Sequence, residues 1–371
     1  MSRHGSVGVA ERRRKPADPQ YPRPSAFPIH ELGEGRLVRG LPDGRPQRVL
    51  RIDVTGAPPN LLDRLLVGSY ITGQDQVLVT AHHGLTVDQR KEIHRAVDRI
   101  LGMSVVADTP TAVEVQNFID PGKYELPRLL HRVVQMLRAE LEICRAALRG
   151  EENPQLQVID NVEEEIDRFY LLMVRQLLLS SENAQIARNI DVESPHYQMG
   201  DRLVAKTLEV VGDLIQGIGV ELRASLHGIC RVGQPVIGEL SSRVERLERL
   251  LTRTMDAFGH LSVVQANATL NAIAEALPKD ARLGQEIFRK IPDRKTAVSA
   301  QRIVFNLDMA LEMLVVINEV TINRSVEPET EVHPESARAS AARGVSRSPE
   351  ECRTAIAIFS PDTSENATSG T

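Results

Sequence analysis

The chain has 371 residues, 42% of them apolar and 26% charged, with a formal net charge of -5. Such a length accommodates two or three domains, and this apolar fraction supports a hydrophobic core. A slightly acidic balance excludes a global attraction to nucleic acid or membrane, and with no Trp and only 3% aromatics the case for base stacking or an aromatic ligand cage is weak.

Residues 1–46 are rich in Pro, Gly and Arg, lack sustained periodicity and read as a flexible segment. The run RRRK at 12–15 reads as part of a solvated tail, although it could touch an anionic partner. No apolar region follows it, so no signal peptide is expected.

Residues 47–119 read as a small α/β domain. RVLRIDV (48–54) alternates as a strand does, and Leu61, Leu62, Leu65, Leu66 and Tyr70 recur at helical spacing over 59–72. DQVLVT (75–80) predicts a second strand. A second helix should start at Thr86 as N-cap and stop at Gly102. MSVVAD and TAVEVQNF predict two further strands around Thr109-Pro110, giving the order βαβαββ and a two-layer sandwich. His82-His83 has no third ligand nearby and reads as a polar loop.

Residues 120–327 are almost wholly helical in pattern. Helices are predicted over about 124–149, 155–188, 196–230, 235–257, 260–277 (resuming after Pro278 to about 290) and 296–325. In the third, the stripe Val204, Leu208, Val211, Ile215 and Ile218 steps alternately by four and three, as in a bundle core. Six helices with short links fit two packed three-helix bundles. Residues 328–371 are polar and read as a disordered tail, with AIAIF (355–359) too short to form a domain.

Cys144, Cys230 and Cys352 form no CxxC or Cys/His cluster, which excludes a zinc finger and argues against a disulfide framework. The first two fall inside helical patterns and read as small core residues. No apolar run reaches the ~18 residues of a membrane span, and a cytoplasmic location is expected. P-loop, GxSxG, HExxH and strand-borne GxGxxG signatures are all absent, so an enzyme is not expected.

Two acidic pairs stand out. Glu163 and Asp167 lie in the second predicted helix, Glu209 and Asp213 in the third. Residues four apart share one helix face, so two such pairs on neighbouring helices offer hard oxygen donors to a metal ion. A helical wheel sets both pairs outside the core stripes, on a bundle surface or in a groove between helices.

Residues 48–327 resemble the archaeal type of the PhoU phosphate-uptake regulator family. The likeness rests on ELPRLLHRVVQMLRAELEICRAAL, VIDNVEEEIDRFYLLMVRQLLL, MGDRLVAKTLEVVGDLIQGIG and SAQRIVFNLDMALEMLVVINEVTINRSVE, taken in order. It implies a mainly α protein, a pair of three-helix bundles behind the α/β unit. It also implies a non-enzymatic adaptor that restrains the phosphate ABC importer by docking on its ATPase subunit and engages a signalling regulator. Homodimerisation is implied too, with divalent or iron metal on Glu163, Asp167, Glu209 and Asp213. The sequence departs from the family at Val210 and Leu214. Asn267, Asn271 and Val316 stand where a second acidic set would lie, which predicts its loss. Relatives often begin with a DNA-binding swapped hairpin whose pattern residues 1–46 do not show. A transcriptional regulator that contacts DNA through the N-terminal region is the alternative.

Overall fold

The computed structural model describes residues 29–31, 47–151, 155–192, 194–232 and 234–326. The RRRK run that motivates the DNA-binding alternative, the 328–371 tail, AIAIF and Cys352 lie outside the described residues.

The α/β unit comprises β1 (Ile29–Glu31), β2 (Val49–Asp53), α1 (Leu61–Ile71), β3 (Gln76–Thr80), α2 (Val87–Asp98), β4 (Met103–Asp108) and β5 (Ala112–Asn117). The four strands from β2 onward fall where alternation places them. β1 does not: three residues are too few for periodicity to register, and it lies within the stretch read as flexible. It pairs antiparallel with β2, Ile29 opposite Ile52. The sheet order is β1-β2-β3-β5-β4, with β2 and β3 parallel and the other pairs antiparallel. One face is covered by α1 and α2, so Ile52, Val77, Val79, Val113 and Val115 bury against Leu62, Leu66, Tyr70, Ile93 and Ala96. Thr86 caps α2 as expected, accepting from the Gln89 N–H while the Gln89 side chain accepts from the Thr86 N–H. Gly102 turns the chain out of the helix at φ 79; a Cβ there would also meet Ile119 at 2.3 Å.

The helical part runs α3 (Leu126–Leu148), α4 (Val158–Ser180), α5 (Ala184–Asn189), α6 (Pro195–Val232), α7 (Gln234–Gly259), α8 (Val263–Lys290) and α9 (Arg294–Ser325). Two boundaries differ from the sequence reading. α4 ends at Ser180 instead of continuing to 188, because Asn183 caps a separate short helix by accepting from the N–H groups of Gln185 and Ile186. α8 runs on through Pro278, since a proline removes one backbone donor without obliging a long helix to end.

α3, α4 and α6 pack on one another, as do α7, α8 and α9; the two sets meet where α6 lies along α9 and α3 along α7. They share one continuous apolar core. Every member of the predicted α6 stripe is fully buried in it. The glycines of GDLIQGIG permit close approach: a Cβ on Gly219 would lie 2.9 Å from Ile159 of α4, and one on Gly217 2.5 Å from Asn306 of α9. Cys144 is buried as expected, but Cys230 is exposed, at a position of α6 that faces away from the core.

The α/β unit is fastened to the bundle through α4. Arg175 is almost fully buried and donates to the carbonyls of Tyr70 (2.6 Å) and Gln74 (2.8 Å) and to Asp75 Oδ1 (2.8 Å). Its guanidinium also lies 5.0 Å from the Tyr70 ring centre. One residue further on, Gln176 donates to the carbonyls of Pro121 and Tyr124, both at 2.7 Å, and so fixes the link between the two parts. No described helix is long and apolar enough to cross a membrane.

Candidate functional site

The two predicted acidic pairs meet across the seam between α4 and α6. Glu163 and Glu209, the first member of each pair, are buried; Asp167 is half-buried and Asp213 exposed. The wheel set both pairs outside the core, and for Glu163 and Glu209 the structure corrects this. Packing of α6 on α4 buries the inner member of each pair and leaves the outer member more exposed.

Crowded carboxylates resist ionisation. Burial, followed by the charges of Asp167 and Asp213, a hydrogen bond with Asp213 and the charge of Glu209, pushes Glu163 up to about 7. Burial also raises Asp167, with Asp213 adding to the effect while Arg99 and Lys206 oppose it. Glu209 is likewise raised by burial, against the hydrogen bond and charge of Lys206. Lys206 forms an ion pair with Glu209 and sits 5.1 Å from the Tyr170 ring centre, which Arg202 also covers at 5.2 Å. Arg99, the C-cap of α2, approaches Asp167 at 4.0 Å and Asp63 at 3.6 Å, both too long for hydrogen bonds.

Sequence reasoning missed Glu140. It projects from α3 into the same three-helix interior, is 0% exposed, and neither carboxylate oxygen meets a hydrogen-bond partner among the described residues. Burial, then Glu163 and Asp160, pushes it up to about 9, so it is a neutral acid at physiological pH. The signal was present: position 140 shares a helix face with Val133, Leu137 and Cys144, which places a carboxyl in the apolar stripe.

Beside the acidic seam, α2 and α4 enclose a cleft of about 420 Å3, where Arg95, Asp98 and Arg99 face Glu163, Asp167 and Arg168. Arg168 Nε donates to the Asp98 carbonyl at 3.1 Å and ties the two helices together.

The donors suit a hard cation, since all four predicted residues offer carboxylate oxygen and their mutual repulsion is what a cation relieves. Their convergence is incomplete: among the described residues no three His, Cys, Asp or Glu side chains are grouped so as to hold a metal ion together. Lys206 and Arg99 supply the positive charge instead. In the second bundle Asn267 and Asn271 are exposed on α8. His82 is exposed, 3.8 Å from Asp53.

Comparison with known proteins returns no match: no family model, no curated protein and no solved structure is similar to this chain.

Proposed function

We propose that the chain is a non-enzymatic, cytoplasmic adaptor of phosphate homeostasis. As a homodimer it restrains a phosphate ABC importer by docking on the ATPase subunit, and it passes the state of uptake to a signalling regulator. The observation that carries this reading is the doubled helical architecture, α3-α4-α6 beside α7-α8-α9 behind an α/β unit, which is the organisation the ordered motifs imply. Long helices with one apolar face in a shared core leave their polar faces available for a partner.

On this reading Glu163, Asp167, Glu209 and Asp213 hold a divalent or iron ion that tunes the docking face. Burial fixes Glu163 and Glu209, whereas the more exposed Asp167 and Asp213 are free to turn toward a cation. Binding requires the Lys206 ammonium to leave Glu209. The ion would neutralise the seam and draw α4 and α6 into one rigid face. Two measurements test the proposal. Affinity capture from phosphate-replete cells should recover the importer ATPase, and repeated failure to recover it sinks the adaptor reading. Elemental analysis of chelator-free protein should show metal that Asp167→Asn/Asp213→Asn lacks; equal content in both ends the metal reading.

A further inference from the structure

α6 and α9 together turn an apolar strip toward solvent. They run antiparallel in close step: a Cβ on Gly217 would meet Asn306, Glu221 pairs with Arg302 at 2.9 Å, and the Ser225 hydroxyl donates to that of Ser299 at 2.9 Å. Beyond these contacts, on the side away from the core, α9 carries Val298, Arg302, Phe305, Met309, Glu312 and Val316, each exposed or half-buried. The steps alternate four and three, so the six share one face. Phe305 is 61% exposed and Val298 42%; Val220 of α6, next to the Glu221–Arg302 pair, adds an exposed apolar side chain at 45%. Scattered apolar residues on a surface need no explanation, whereas a second periodic stripe on a helix whose first stripe (Ile303, Leu307, Ala310, Leu314) already fills the core does.

The order of residues along this stripe identifies its occupant. Phe305 and Met309 stand two residues either side of position 307, Arg302 and Glu312 five, and Val298 and Val316 nine. Turned end over end about that position, the stripe meets itself with apolar opposite apolar and guanidinium opposite carboxylate. An interface between identical copies requires this property, because every contact of one residue with another is repeated with the roles exchanged. A partner of unrelated sequence imposes no such symmetry. We propose that α9 packs antiparallel on α9 of a second copy, about a two-fold axis that passes between Phe305 and Met309. The seam from Val298 to Val316 is about 27 Å long at the helical rise of 1.5 Å per residue. Phe305 packs on the partner's Met309, and Val298 on the partner's Val316. Arg302, its side chain 67% exposed, keeps donors beyond the one bound to Glu221 and turns them to the partner's Glu312. This charge pair fixes the register, since a slide of seven residues sets Arg302 against the partner's Phe305, or Glu312 against the partner's Met309. The inference rests on the homodimer proposed above and assigns the surface on which its copies meet.

Sedimentation velocity of the full chain should show a dimer. Phe305→Glu, at an exposed position, should convert it to a monomer whose helical circular-dichroism spectrum is unchanged. Cross-linking then reads the register. In a Cys230→Ser/Cys352→Ser background, Val298→Cys alone or Val316→Cys alone leaves the new thiols of the two copies about 27 Å apart, and a short bismaleimide should join neither. Val298→Cys/Val316→Cys sets position 298 of each copy against 316 of the other, and the same reagent should give a covalent dimer. If the chain is dimeric but Phe305→Glu leaves it so, or if the double cysteine variant yields no more covalent dimer than the single ones, the α9 seam falls and the homodimer stands. A full chain that sediments as a monomer overturns both, and the capture of the importer ATPase still judges the adaptor reading separately.

Discussion

α4 and α8 are the outer helices of the two bundles, each packed on the two companions of its own set. They differ in what else they carry. α4 also packs against α1, buries the charged or polar side chains of Glu163, Arg175, Gln176 and Ser180, and borders the arginine cleft. Along Val263–Leu277 of α8, the one buried polar side chain is Thr269, which donates to the Gln265 carbonyl of its own helix. Buried charge in the second half of the helical domain is matched: Arg243 lies 3.2 Å from Glu239, and Arg324 pairs with Asp201 at 2.6 Å while stacking on Tyr197 and Phe258. The first bundle instead gathers four carboxylates and leaves Glu140 with no hydrogen-bond partner among the described residues. Repeating a backbone arrangement therefore does not repeat its buried polar side chains. On α4 the buried Arg175 fastens the α/β unit, a use of buried charge that the described part of α8 does not have.

The strongest way to break this contrast is to cut the fastening. Arg175→Met removes the donor to three acceptors and leaves Asp75 buried without its guanidinium. Losing one partner of a buried pair costs about 3–5 kcal/mol. Denaturant unfolding should register a loss of that size, and hydrogen exchange should rise in α1, β3 and the adjoining part of α4 while α7 and α9 stay protected. Uniform loss of protection across both bundles would show that the fastening supports the whole fold and not the junction alone.

A smaller effect should come from Glu140. Its acid is raised above the value of an unfolded chain, so the folded state holds a proton that the unfolded state releases. Stability from this group is fully present below about 4.5 and is lost as the pH rises toward about 9. Glu140→Gln keeps the shape and removes the titration. In paired urea denaturations the variant should therefore gain on the parent as the pH increases from 5 to 8, reaching about 1–3 kcal/mol at the upper end. A constant difference across that range would mean that Glu140 does not hold its proton in the folded state.

The repeating parts of this fold were legible in the sequence because periodicity reports burial. The apolar stripe of α6, the four longer strands and the Thr86 cap all follow from local spacing. What was not legible depends on partners distant in the chain. Arg175 sits in LLMVRQLLL, where apolar residues on every side announce burial but do not reveal that its acceptors lie about 100 residues earlier. The acidic pairs were found by spacing and correctly assigned to neighbouring helices. Their burial was misjudged, because a wheel treats a helix as if it had one buried face, while α4 and α6 each meet several neighbours. The ion pair of Lys206 with Glu209 emerges only from the packing of the seam.

The smallest expected effect tests whether an exposed acidic pair alone can hold a cation. Asn267→Glu/Asn271→Asp writes the acidic pair of α4 onto α8, at two exposed positions. Like charges at this spacing should cost only about 0.2–0.5 kcal/mol, so the melting temperature should barely move. If an acidic pair were sufficient, the variant would gain a second equivalent of Mn2+ in a titration. No gain is expected. A site of the first kind needs a facing pair on the neighbouring helix, and in α9 Glu312 is followed four residues later by Val316. On the proposed metal reading it also needs a seam like that between α4 and α6, where burial crowds the carboxylates. A second equivalent appearing in this variant would show that exposed spacing alone suffices, and that the burial of Glu163 and Glu209 is incidental to binding.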